Sequence, residues 1–188
     1  MAAARTVQLP GSAVHVLHSQ AVGDDFEISI FAPPPEAEGP LPVVYFTDAN
    51  VAVGLAANIV NLLQVGAEIP PVRLVCIGYP IADDLARWAR LRTRDFTPTT
   101  DAALESGLAA MAGGEVHGGG ASAFLDFLTG ELRPWVEARY QVTDDSALIG
   151  YSDGGLFAAY TLLHRPSSFR RYVIGSPTLS WNRSVSTA

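Results

Sequence analysis

Residues 146–164 read SALIGYSDGGLFAAYTLLH, and this stretch constrains the chain more than any other. An apolar run, Ala147, Leu148 and Ile149, leads into Gly150, Tyr151, Ser152, Asp153 and Gly154. Apolar residues then recur at helical spacing through Leu156, Tyr160 and Leu163. The period changes from strand to helix within five residues, so the backbone must turn sharply at Ser152. Glycines at 150, 154 and 155 carry no Cβ and let the two backbones approach closely. Gly-x-Ser-x-Gly also arises by chance in loops, but between a buried strand and an amphipathic helix it forms the nucleophile elbow, with the serine hydroxyl exposed above a sheet. The turn sets Ser152 at a helix N-terminus, where the Asp153 N–H is free to face a developing oxyanion. Ser152 is the candidate nucleophile.

The flanking sequence supplies a sheet for that elbow to stand on. Residues 13–18 and 25–32 are β-rich, with Phe26, Ile28 and Ile30 alternating with Glu27 and Ser29 as in a half-buried strand, and the Gly23, Asp24, Asp25 cluster fits a hairpin turn. Residues 33–42 form a proline-rich loop. The apolar runs 41–47, 73–77 and 147–149 suit central strands buried on both faces, and 172–174 is a final apolar strand. Residues 56–65 and 122–140 show helical spacing, with Phe124, Leu128, Leu132, Trp135 and Val136 as the stripe of the second. Pro134 is expected to bend or split it. Together these predict one α/β domain over residues 1–188, a mixed sheet with helices on both faces.

Residues 82–120 read as a long, less regular insertion holding Trp88 and the run Arg87, Arg90, Arg92, Arg94. Two readings stay open: a substrate-binding loop, with Arg92, Arg94 and the elbow's Tyr151 as candidate contacts, or a solvated arginine face with local ion pairs.

The chain has a net charge of −7, and its twelve basic residues are all arginine, which argues against a binder of phosphate backbones. The single Cys76 excludes an intramolecular disulfide and reads as a small buried hydrophobe; no metal cluster can be built around it. No segment is long and apolar enough for a membrane span, and the N-terminus lacks the apolar core of a secretory signal, so a cytoplasmic location is expected.

Six stretches in order, VVYFTDAN (43–50), IGYP (77–80), RTRDFTP (92–98), residues 119–132, GYSDGGLFAAY (150–160) and SPTLSW (176–181), together resemble one family. These are the esterases of the α/β-hydrolase fold that include esterase D-like and enterochelin esterase-like enzymes. The resemblance implies a three-layer α/β-hydrolase sandwich with a mostly parallel central sheet, and a Ser-His-acid hydrolase that needs no cofactor and acts on small-molecule esters, in places siderophore lactones. It maps the nucleophile to Ser152, one oxyanion donor to the Asp153 N–H, and the second donor to Asn50 or Val51. Ala49 stands where the family has glycine. The Asp153 carboxylate, which would repel an oxyanion if turned inward, is expected to point outward at the helix start, where the macrodipole favours it.

In α/β-hydrolases the acid and then the histidine follow the serine. Here only His164 and no acid beyond Asp153 follow Ser152. His164 lies twelve residues on, roughly 18 Å along a helix at about 1.5 Å per residue. His15 and His18 sit on the first strand, and His117 in a glycine-rich loop. The expected reading is a truncated esterase domain lacking its last strands and helices, weak or inactive for want of acid and histidine. Strand 172–174 would then keep an open edge on which the chain could self-associate, and the tail 182–188 would be disordered or an altered end. The alternative is a non-catalytic binding or interaction protein descended from an esterase.

Overall fold

The computed structural model describes residues 9–181; the expectation for the tail 182–188 lies outside them. β1 (Ser12–Ser19) and β2 (Asp24–Phe31) form an antiparallel hairpin with Ser12 opposite Phe31 and Ser19 opposite Asp24. Ser19 accepts the Gly23 N–H and closes the turn. β2 is more enclosed than its alternation implies, being buried continuously from Ile28 onward. The reason is tertiary: its other edge pairs with β4 (Arg73–Gly78), and the helix that follows β3 (Leu41–Phe46), α1 (Ala49–Val65), covers the second face.

α1 starts seven residues before the predicted 56, because Asp48 takes a left-handed turn (φ 62°) that begins the helix directly after β3. The remaining strands are β5 (Val142–Tyr151) and β6 (Arg171–Gly175), and the order across the sheet is β1-β2-β4-β3-β5-β6. β3 runs parallel to β4 and β5, and β5 parallel to β6, so the antiparallel pairs are confined to the β1/β2 side. This is the mixed sheet that the sequence pattern predicts, mostly parallel as the family resemblance implies. β6 is an edge strand paired only with β5 among the described residues.

Residues 82–120 depart from expectation, since they hold α2 (Leu85–Phe96) and α3 (Ala102–Ala112). Asp84 caps α2 by accepting the Arg87 N–H at 2.8 Å, and Asp101 caps α3 through the Ala103 and Leu104 N–H groups at 3.1 Å. Thr97, forced extended by Pro98, ends α2. Four arginines conceal the apolar stripe Trp88, Leu91 and Phe96 that packs inward.

Pro134 neither breaks nor sharply splits the next helix. α4 (Ala121–Asp126) passes into a π-helical segment (Phe127–Leu132) and then α5 (Arg133–Glu137). The wider π turn resets the hydrogen-bond register so that Pro134 falls at the start of α5, where a missing N–H costs nothing. α6 (Asp153–His164) follows β5.

The strands alternate their side chains between two cores. Val44, Phe46, Leu74 and Cys76 face α1, while Val43, Tyr45, Val75 and Ile77 face the layer containing α2, α4 and α6. An aromatic group fills that second core: Phe26 stacks on Phe127 at 4.3 Å, and Phe124 meets Phe157 edge-on at 4.9 Å. Cys76 is fully buried, which pushes its thiol up to about 12, so it is the inert hydrophobe expected of its sequence context. No helix among the described residues is long and apolar enough to cross a membrane.

Candidate active site

At the C-terminal ends of β3 and β5 the chain turns twice into helices, and the site lies between these turns. Ser152 joins β5 to α6 with φ 58° and ψ −117°, a conformation that L-residues occupy only under constraint. The constraint is visible on both sides. Its N–H donates to the Gly175 carbonyl at 2.9 Å, and its carbonyl accepts the Thr178 N–H at 3.2 Å and the Leu156 N–H at 2.9 Å. Close packing demands the glycines. A Cβ on Gly150 would collide with the Gly154 carbonyl, one on Gly154 would lie 2.5 Å from Thr47 Oγ1, and one on Gly155 would lie 2.6 Å from the Gly175 oxygen.

A cleft of about 250 Å³ opens beside Ser152, lined among others by Phe46, Asp48, Val51, Trp88, Arg92 and Tyr151. Tyr151 stands largely exposed on its rim. Asn50 and Val51 lie in the first turn of α1, across the cleft from the elbow. The Val51 N–H is engaged by the Asp48 carbonyl at 3.2 Å. The Asn50 side chain is locked in a reciprocal pair, accepting the Tyr79 N–H and donating to the Tyr79 carbonyl, both at 2.8 Å. Asn50 is thereby fixed to the end of β4 through its side chain.

Arg92 reaches into the cleft from α2 and does not stand there as a free cation. Its Nε and Nη2 donate to the two oxygens of Asp48 at 2.8 and 2.9 Å, and its Nη1 donates to Asp153 Oδ2 at 2.5 Å. The guanidinium lies 4.8 Å over the Trp88 ring. Burial disfavours its charge, but the hydrogen bonds and charge of Asp48, with the charge of Asp153, outweigh that and raise its pKa above the usual value. Asp153 thus turns inward to Arg92 and does not point outward to solvent. Its side chain is only 15% exposed, and the cation compensates the repulsion that an inward carboxylate would otherwise create.

Arg94 does not line the cleft. It faces the opposite way along α2, forking onto Asp95 at 2.8 and 3.0 Å and reaching Asp24 at 2.8 Å. Tyr79 donates its hydroxyl to the same buried Asp95 at 3.0 Å. Of the two arginines expected to contact a substrate, Arg92 therefore stands at the cleft and Arg94 in a structural ion pair.

The four histidines lie elsewhere. His15 packs edge-on against Trp135, His18 pairs with Asp25 at 2.7 Å, His117 is exposed beside Glu115, and His164 donates from Nδ1 to the Tyr160 carbonyl. Among the described residues the hydrogen-bond partner of Ser152 Oγ is Thr178 Oγ1, at 3.3 Å. No local pattern marks Thr178 or Asp48 as part of the site, although Asp48 stands within VVYFTDAN. Thr178 stands within SPTLSW, one of the six matching stretches, which is the one signal that could have found it.

A family model described as "Putative esterase" matches residues 19–186. The chain belongs to this esterase family. Among curated relatives it is 33% identical over 183 residues to the ferri-bacillibactin esterase BesA of Bacillus subtilis, covering 93% of this chain and 61% of that protein. It is 38% identical over 148 residues to the siderophore triacetylfusarinine C esterase of Aspergillus fumigatus, covering 77% of this chain and 46% of that one. This esterase-family chain thus spans less than two thirds of the length of these relatives. Among solved structures, the BES protein of Bacillus cereus superposes with a TM-score of 0.84 at 26% identity, over 100% of this chain and 69% of that chain. Siderophore hydrolase EstB of Aspergillus nidulans does so with a TM-score of 0.79 at 28% identity, over 97% and 63%. The fold is that of the α/β-hydrolase-like siderophore esterases.

Proposed function

We propose that this chain carries the nucleophile and the oxyanion-binding half of a serine carboxylic-ester hydrolase acting on small-molecule esters of the siderophore type. The observation that carries the reading is the constrained backbone of Ser152 at the β5–α6 elbow, beside a cleft. Ser152 Oγ attacks the ester carbonyl carbon and loses its proton to a base. The carbonyl oxygen becomes an oxyanion held by the Asp153 N–H and by a donor from the first turn of α1, assigned to Asn50 because the Val51 N–H is already engaged. Collapse expels the alcohol and leaves an acyl-serine, which water then hydrolyses. The siderophore class rests on the relatives, a ferri-bacillibactin esterase and a siderophore triacetylfusarinine C esterase. With all four histidines held elsewhere, the 188-residue chain alone acylates slowly and turns over more slowly still.

The test is site-specific acetylation by p-nitrophenyl acetate, followed by peptide mass spectrometry. Ser152 in the folded chain should be labelled on the order of 10³-fold faster than in the urea-unfolded chain, the residual advantage that binding and an oxyanion hole retain without a triad. Equal rates in the two states would end this reading.

A second reading, a protein that works by association, draws on one surface. Val51, Leu55, Ile59 and Leu62 on α1 are each about half exposed or more, and a groove of about 380 Å³ between α1 and β5 continues this apolar face towards edge strand β6. A second copy pairing on that edge would bury Val173, now 51% exposed. Light scattering should then give a mass rising with concentration above 19.9 kDa, and Val173→Lys should return it to that value. A parent chain that stays at the monomer mass throughout argues against association.

A further inference from the structure

We propose that Arg92 is the positioning residue of the Ser152 site: it cancels the charge of the two carboxylates flanking the nucleophile and ties the loops that begin α1 and α6 to each other. This rests on Ser152 being the nucleophile.

Asp48 is the last residue before α1 and Asp153 the first residue of α6, so each oxyanion-side N–H sits within two residues of a carboxylate. Asp48 is only 10% exposed at its side chain and Asp153 only 15%. Two such carboxylates, unpaired and poorly solvated, would oppose negative charge growing on a carbonyl oxygen between them, since low local dielectric magnifies like-charge repulsion. Arg92 is placed to remove this penalty. It spends three N–H groups on the two acids, and Trp88 and Phe96 lie 4.8 and 5.7 Å from its guanidinium. Its side chain is itself only 13% exposed, which fits an internal tie better than an open receptor for an anionic ligand.

The bridge also has a geometric role. Asp48 has φ 62° and, unlike Asp84 and Asp101, makes no side-chain cap to its own helix; its carboxylate goes to Arg92. The acid that could have capped α1 instead anchors that turn to the elbow. Because the planar fork meets both Asp48 oxygens, it fixes orientation as well as separation, which lysine cannot reproduce.

Two measurements on the full chain test this. The first is thermal unfolding of the parent, Asp153→Asn, Arg92→Met and the double variant. Asp153→Asn should lower Tm where Arg92 is present, because it removes a partner. In the Arg92→Met background the same change should raise Tm, because it removes an unpaired carboxylate. The second is the Ser152 acetylation rate. Arg92→Met should slow it on the order of tenfold, the double variant should recover most of that loss, and Arg92→Lys should fall between.

A Tm change of the same sign in both backgrounds, or an acetylation loss that Asp153→Asn fails to recover, overturns the proposal, because Arg92 would then act only as packing. Should Arg92→Met not fold, the double variant decides: recovered folding supports charge compensation, and continued failure overturns it. If Ser152 is not acetylated faster in the folded parent than in the unfolded chain, the hydrolase reading fails, and the sign of the Tm change still shows whether Arg92 compensates the two acids.

Discussion

Hydrolysis of p-nitrophenyl acetate by the 188-residue chain is expected to stay close to the buffer rate, and Ser152→Ala to change it by less than about threefold, since loss of the histidine alone costs on the order of 10⁶ in turnover. The stoichiometric labelling of Ser152 described above is compatible with this. A serine that acylates once over hours adds little to a steady-state rate. The informative comparison is a chimera that carries, after residue 181, the acid- and histidine-bearing segment of a longer esterase of the family. Its turnover should rise by about 10³-fold or more, and Ser152→Ala should remove the gain, because nucleophile and base act as a unit. Initial rates of the four proteins under one condition decide the matter. Fast, Ser152-dependent turnover by the short chain would require one of its own groups to serve as base, contrary to the placement of His15, His18, His117 and His164.

The second large effect concerns the ion pair behind the cleft. Asp95 is fully buried and accepts from both arms of the Arg94 fork and from the Tyr79 hydroxyl. Burial, and then the charge of Asp95, hold that hydroxyl well above its ordinary pKa and so keep it a donor. Tyr79 in turn is the backbone partner of Asn50, so Asp95 supports the α1 side of the site through one intermediary. Asp95→Ala leaves a buried hydroxyl and a largely buried guanidinium without their acceptor, at a cost of about 3 kcal/mol. The cost falls at the low end of the range for broken buried pairs because Arg94 keeps Asp24 and is 30% exposed. For a chain of this length Tm should fall by roughly 6–12 °C. Asp95→Asn, which keeps the shape and an acceptor, should lose less than half as much. A change below about 0.5 kcal/mol in urea unfolding for Asp95→Ala would show that the pair contributes no net stability.

Neighbours along the chain encode part of this fold without help from tertiary contacts. The elbow is such a case: glycines at 150, 154 and 155 around a serine, between an apolar run and a helical pattern, mark a sharp turn. The central strands are legible for the same reason, because a run such as 74–77 has no polar face to offer solvent. The arginine run was visible but its meaning was not. Arg92 and Arg94 are two residues apart on α2, about 200° around the helix, so they meet different partners: Asp48 and Asp153 for one, Asp95 and Asp24 for the other. Asp48 lies 44 residues from Arg92 and Asp153 lies 61, and no local pattern records which acid a guanidinium will reach. The same holds for Thr178, 26 residues from Ser152, whose contact exists only because β6 runs parallel beside β5 and brings its following loop over the elbow. Charge pairing and the surroundings of Ser152 are decided by the tertiary fold, since both depend on distances through space that the packing of the helices on the sheet sets.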